Sequence, residues 1–334
     1  MRRARRVSTQ SLPRTATEYQ RAQRREHQEA VRAVRRRWSR RRGDFDASWS
    51  MVGPAVAAIV LTAQERVAGR ARDYVPAVLA DTGQTRALSP VGRANVPAFV
   101  GVTGAGIPVH DALDVAPIRA KQRVAGGMPQ YAALATTGAW LGRSVGTILS
   151  DTSRAVEATE MYARAVGGYV RVLAPPSCSR CVVLAGRWYR KNAGFERHPN
   201  CDCYHIPSSE GIAGDLTLDP MAYYESQDEA GRIKLAGSRA NYQAIEDGAD
   251  LSQIVNAYRR TDGMRFAQSP SIIREASGLA FSPVTRRSLS FRAAQTARQT
   301  SRFSGLRLMP ESIYRTAQSR DDALRLLRIN GWIL

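Results

Sequence analysis

The chain has 334 residues, 43% of them apolar, and a formal net charge of +20 at pH 7. That is length enough for one large or two ordinary domains, and no run of about 18 apolar residues predicts a membrane span. The charge is uneven: residues 1–43 hold fifteen arginines against Glu18, Glu26 and Glu29 (net +12), and residues 284–328 hold ten against Glu311, Asp321 and Asp322 (net +7), which leaves the rest near neutral.

A polyanion is the natural partner of such ends. Nucleic acid ranks before membrane, because no cluster of large apolar residues accompanies the arginines; a solvated tail that only aids solubility is the bland alternative. Lys121, Lys191 and Lys234 are the only lysines. Arginine forks suit phosphate, but a GC-rich coding sequence gives the same bias and is the simpler explanation. No apolar leader follows the arginine-rich start, so the expectation is a soluble, unsecreted protein in reducing surroundings, where clustered cysteines favour metal over disulfide.

In chain order, "TATEYQRAQRREHQEAVRAVRRRWSRRRG" predicts a helix with a Thr17–Gln20 capping box and a stop at Gly43. His27, Val31, Val34 and Trp38 give it one narrow apolar stripe, suited to docking on a partner helix or on the chain's own body. Arg35, Arg36, Arg37, Arg40, Arg41 and Arg42 are its candidate nucleic-acid contacts. A second helix runs from about Trp49 to about Leu79, with Pro54 and Pro76 near its ends. Residues 81–110, including the glycine-rich "GVTGAGIP", read as loop without a strand-to-helix phosphate cradle. Helical patterning resumes at 117–124 and continues through two stretches, the later one capped by Asp151 and stopped at Gly167–Gly168.

"YVRVLAPP" is a short β-rich run leading into the cysteines. Beyond Pro207 come two short helices around Gly248, with Asp250 as a cap, and then a flexible basic linker over 282–308. Two amphipathic helices close the chain, with Gly331 as stop and Leu324, Leu327 and Trp332 packing them. The segments are a basic arm and helix (1–43), a helical body (44–174), a cysteine hairpin (175–207), a helical segment (208–281), and the linker with C-terminal helices (282–334). The fold class is mainly α with a small zinc-stapled β-hairpin (α+β) and flexible basic termini.

All four cysteines lie in "PPSCSRCVVLAGRWYRKNAGFERHPNCDCYHIP". Cys178 and Cys181 have the spacing of a knuckle that turns two sulfurs toward one metal, and structural zinc prefers four tetrahedral thiolates. Cys201 and Cys203 would share one face of an extended strand. A strand, a turn near Asn192–Gly194 and a return strand make a hairpin too small for its own core, which zinc would replace. His198 is an alternate ligand or a neighbour of the site, and His205 is expected to face solvent. Disulfides remain an alternative in an oxidising setting, although a Cys-x-Cys bridge has poor geometry. Deaminase zinc sites pair His-x-Glu with Pro-Cys-x-x-Cys. Here the only His-x-Glu, His27–Glu29, lies far upstream, and an extra residue, Ser177, separates Pro176 from Cys178.

Taken together, "SCSRCVVLAGRWYR" and "HPNCDC" resemble the signature of the phage Mu F-like minor capsid proteins, also called head morphogenesis proteins. Cys178, Cys181, Leu184, Gly186, Tyr189, His198, Pro199, Cys201 and Cys203 fall on its positions. "AIEDGADLSQIVNAYR" and the closing "RLMPESIYRTA…ALRLLRINGW" resemble the tail regions of actinobacteriophage members. The resemblance implies a non-enzymatic virion protein at the portal and capsid interior, assembled in the host cytoplasm. It would partner the portal, the major capsid or scaffold protein, and phage DNA through the basic ends. Some relatives are labelled capsid maturation proteases; Ser144, Ser150 and His110 are present here without distinguishing context. A zinc-ribbon DNA-binding regulator ranks third, because no helix carries a base-reading pattern.

Overall fold

The computed structural model describes residues 12–39, 44–84, 89–173, 177–185, 187–192, 203–213, 216–257, 264–265, 289–292 and 306–333. Two compact units emerge: one comprises Thr9–Pro175 with Arg187–Thr217, the other Pro176–Gly186 with Leu218–Leu334.

The first unit is built on four helices, α1 (Arg14–Ser39), α2 (Phe45–Asp81), α3 (Val109–Ala125) and α4 (Gln130–Ala163). Helix α1 buries Ala16, Tyr19, Gln23, Glu26, Ala30, Val34 and Trp38, a stripe of period three to four that packs on α2 and α4. The predicted docking on the chain's own body is therefore realised. Its face is rotated slightly, with His27 and Val31 at the margin. Thr17 does not cap α1; it lies inside the helix and its hydroxyl donates to Arg14 O. Trp38 is buried, donates from Nε1 to Leu134 O at 2.9 Å and meets Trp49 edge-on at 5.9 Å. Burial of that ring alone is worth about 2–3 kcal/mol. Gly138 is what admits it, since a Cβ there would stand 2.8 Å from Trp38 Cδ1.

Asp44 opens α2, accepting from the Asp46 and Ala47 amides. By length and composition α2 could cross a bilayer; here Val52, Val56, Val60 and Val67 lie in the core shared with α1, α3 and α4. Helix α4 is continuous where two helices were expected. Asp151 is not an N-cap but a buried mid-helix residue 3.5 Å from Arg154, one turn on. The Gly167–Gly168 pair does not stop the helix, which ends at Ala163; Gly168 opens the next strand instead.

The 96–108 loop is held from below by Gln64, a wholly buried residue of α2. Its amide nitrogen donates to Val102 O (2.8 Å) and Thr152 Oγ1 (2.9 Å), and its oxygen accepts from Gly101 N (3.0 Å). Gly101 has φ +90°, and Gly104 lies so close to Asp151 that a Cβ would be 2.6 Å from Oδ2. The glycines of "GVTGAG" thus serve a tight turn and a close approach.

Three antiparallel strands complete this unit: β1 (Gly168–Val172), β2 (Trp188–Arg190) and β3 (Tyr204–Ser208), in the order β2-β1-β3. Tyr169 faces Tyr189 and Pro207, and Val170 faces Trp188 and Ile206. The expected hairpin thus takes another form. Strands β2 and β3 do not pair with each other; "YVRV" lies between them, and its buried residues carry the sheet into the core. A short helix, α6 (Glu210–Ala213), follows β3.

The second unit contains α5 (Ser179–Ala185), α7 (Pro220–Glu225), α8 (Glu229–Ala236), α9 (Arg239–Glu246), α10 (Leu251–Asn256), α11 (Pro310–Thr316) and α12 (Arg320–Ile329). Asp219, Asp228, Ser238, Asp250 and Ser319 cap α7, α8, α9, α10 and α12 through their side chains. Gly248 (φ +102°) turns the chain between α9 and α10, and Gly331 (φ +67°) closes α12. Leu326, Leu327 and Trp332 are buried there. Within the stretch expected to be a linker, Leu289–Arg292 and Leu306–Leu308 form strands β5 and β6. With β4 (Met264–Arg265) they make a second antiparallel sheet. The rest of 282–305 and residues 1–11 lie outside the described residues.

Candidate metal centre

Cys178 is exposed just ahead of α5, and Cys181 is buried in the first turn of that helix. The Cys181 amide donates to Cys178 Sγ at 3.5 Å, and Val182 N donates to Cys178 O at 3.1 Å. Cys178 thus stands just ahead of α5 with its sulfur at the amide of Cys181 in the helix's first turn. The motif's Leu184 is buried among the contacts of α5 with α7, α8 and α10.

Cys203 belongs to the first unit, immediately before β3, and is 2% exposed. Its carbonyl accepts from Arg154 of α4 at 2.9 Å. Two residues on, His205 is buried rather than solvent-facing, at 3% exposure. Its Nδ1 lies 2.5 Å from Glu157 Oε2, its carbonyl accepts from Tyr74 Oη at 2.8 Å, and its ring meets Tyr169 edge-on at 4.3 Å. The expectation of exposure fails because β3 is an inner-face strand: every residue of 204–208 is buried, so period-two alternation toward water does not apply. The motif's Tyr189 stacks on Tyr169 at 5.4 Å.

Glu157 joins three elements. Its Oε1 accepts from Tyr19 Oη at 2.5 Å, and Gln23 Nε2 donates to that same hydroxyl at 2.8 Å. Tyr19 and Tyr74 stack at 3.9 Å. Both phenols are pushed well above their ordinary range, first by burial and then by the Glu157 charge. Burial, followed by Cys203 and Glu157, raises Tyr204 as well. Nearby, His27 is pushed down to about 4 by burial, with Arg154 adding to the effect. These tyrosines stay protonated donors and His27 stays neutral near pH 7. The cluster is an anchor that fixes the strand carrying Cys203 to α1, α2 and α4. Sequence reasoning missed it, although one signal was present: Glu157 and Glu160 fall on the buried stripe of α4, where a carboxylate must find partners.

Among the described residues, Cys178, Cys181 and Cys203 form no disulfide with one another. Among the described residues no group of three or more His, Cys, Asp or Glu side chains is placed to hold a metal ion. Two members of the expected ligand set, Cys201 and the alternate His198, lie outside the described residues, as do Arg40, Arg41 and Arg42. Arg35, Arg36 and Arg37 are exposed at the end of α1. His110 is exposed beside Asp111, and Ser144 and Ser150 lie half-buried on α4. Comparison with family models, with curated proteins and with solved structures found no match to this chain.

Proposed function

We propose that this chain is a structural minor capsid protein of a tailed phage, of the Mu F-like head morphogenesis kind. It would associate with the portal and the capsid interior, contact the major capsid or scaffold protein, and aid head assembly and DNA packaging or delivery. The observation that carries the reading is the motif itself: Cys178-x2-Cys181, Leu184-x-Gly186-x2-Tyr189 and His198-Pro199-x-Cys201-x-Cys203 in one 26-residue span. Two features support it. Cys178 and Cys181 are neighbours at the start of α5, the Cys181 amide donating to Cys178 Sγ. The basic charge sits at the chain's ends, as a partner of DNA requires.

In this reading Cys178, Cys181, Cys201 and Cys203 would hold a structural zinc ion, whose binding free energy would add to that of folding. Within the first unit, Arg154 and Glu157 hold the backbone of Cys203 and the strand that follows it. The test is elemental analysis of the reduced, purified chain, paired with its recovery from mature particles. About one zinc per chain is expected, with Cys181→Ala losing the metal and its place in particles. Retention of a normally folded Cys181→Ala protein in particles would overturn the reading. So would cleavage of capsid or scaffold subunits that tracks one Ser or His of this chain.

A further inference from the structure

Helix α1 carries two opposed faces. The buried one is described above; the other presents Arg14, Arg21, Arg25, Arg32 and Arg36, at spacings of seven, four, seven and four residues. At 1.5 Å rise per residue these form a straight exposed row of roughly 33 Å. Arg14 reaches Glu18 (3.3 Å) and Arg32 folds back on Gln28 (3.2 Å). Arg21, Arg25 and Arg36 make no ion pair among the described residues. The row's C-terminal half borders a groove of about 570 Å³, where Arg32 and Arg36 face Arg66 of α2 over a floor of Ala30, Ala33, Ala58 and Ala63.

Base composition alone would spread arginine evenly, and it is not spread evenly. Helix α1 has eight arginines and three acidic residues in 26 positions, whereas α2 beside it has three arginines and four acidic residues in 37. Arg66 and Arg70 of α2 share the buried Glu26, at 3.2 and 3.0 Å, so one carboxylate partly offsets both.

We infer that the exposed row Arg21–Arg25–Arg32–Arg36 is a contact for the backbone of duplex DNA. Because the opposite side of α1 is part of the core, the row is held straight and pre-ordered, so little ordering entropy is lost on contact. This deepens the function proposed above by naming the surface that meets DNA. It moves that surface from the 35–42 arginine run to the middle of the packed helix. Guanidinium forks at these spacings read phosphates and no bases, so binding is independent of sequence and steeply dependent on salt.

The test uses the full chain, a mixed-sequence duplex and fluorescence anisotropy over a range of NaCl. Each lost phosphate contact flattens the slope of log K against log salt by about 0.9. Replacing all four arginines (R21Q, R25Q, R32Q, R36Q) should therefore flatten it by about 3.6. Between about 50 and about 200 mM salt, the unaltered chain should then lose roughly a hundredfold more affinity than the variant. A control removes the same charge at exposed Arg143, Arg187, Arg190 and Arg239, which lie outside both basic ends, and circular dichroism confirms that both variants fold. Equal slopes for variant and control would overturn the inference. So would loss of binding to vesicles of anionic lipid with no change on DNA. A chain that binds duplex in this way yet is missing from particles would refute the capsid role and leave the row standing; the converse would remove the row alone.

Discussion

Replacing Glu157 by Ala should be the most damaging single change in the first unit. Glu157 is 1% exposed and serves two buried partners, Tyr19 Oη through Oε1 and His205 Nδ1 through Oε2. Truncation takes away the acceptor of Tyr19 Oη and the carboxylate beside His205 Nδ1, at about 1–3 kcal/mol each, and removes one buried methylene group worth about 0.8 kcal/mol. The sum is about 3–7 kcal/mol, of the order of breaking a buried ion pair. Glu157→Gln keeps the shape and one acceptor for Tyr19, and should cost about 1–2 kcal/mol. Urea unfolding followed by tryptophan fluorescence reads this unit directly, because Trp38, Trp49, Trp140 and Trp188 lie in it and Trp332 does not. In thermal unfolding the alanine variant should melt at least about 6 °C lower, at roughly 2–4 °C per kcal/mol for a unit of this size. If both variants stayed within about 0.5 kcal/mol of the unaltered chain, the anchor would be wet and its role in fixing β3 would be wrong.

Three further outcomes follow from the same structure. His27, held neutral with its folded value near 4 against 6.5 free, stabilises the fold fully above pH 6.5. That contribution is lost as pH falls toward 4, by up to about 3 kcal/mol; His27→Gln should flatten the pH dependence of the urea midpoint over that window. Gly168→Ala places a Cβ 2.1 Å from Tyr189 O and 2.3 Å from the Trp188 ring. Because backbone cannot yield as a side-chain tip does, the β1–β2 pairing should break at a cost of at least about 2 kcal/mol, visible as faster hydrogen exchange at the amides of residues 168–170 and 188–190. Cys181→Ser removes the sulfur that shares a helical turn with Cys178; in a titration with zinc it should weaken uptake by the reduced chain at least tenfold.

Much of the helical framework could be seen in the sequence, for local reasons. Asp250 before an apolar run, Gly248 between two helices and Gly331 after the last each act within one turn, and each was read correctly. What failed to show depends on residues far apart. Asp151 looks like a cap because caps and buried acids share a residue type; only its Arg154 partner and the Gly104 backbone against it make it a mid-helix residue. The order β2-β1-β3 could not be read from spacing, because a short run between turns fits either hairpin partner. The choice falls to Tyr74, Arg154 and Glu157, which hold β3 and the residue before it from 48 to 131 residues away. For the candidate metal centre, the Cys-x2-Cys turn was visible in the spacing, whereas the anchoring of Cys203 was not. The arginine row was hidden by the more conspicuous arginine run that follows it.

The middle strand of the first sheet leaves the ribosome before either neighbour. As the nascent chain lengthens, α1 to α4 can assemble while β1 still lacks both edges. The stretch bearing Cys203 docks only when Tyr204–Ser208 emerges onto the prepared side chains of α2 and α4. Synthesis order therefore makes the helical scaffold the template and the cysteine-bearing strand the late arrival, so a truncated product ending between β2 and residue 204 would leave β1 unpaired on its β3 side and expose a sticky edge.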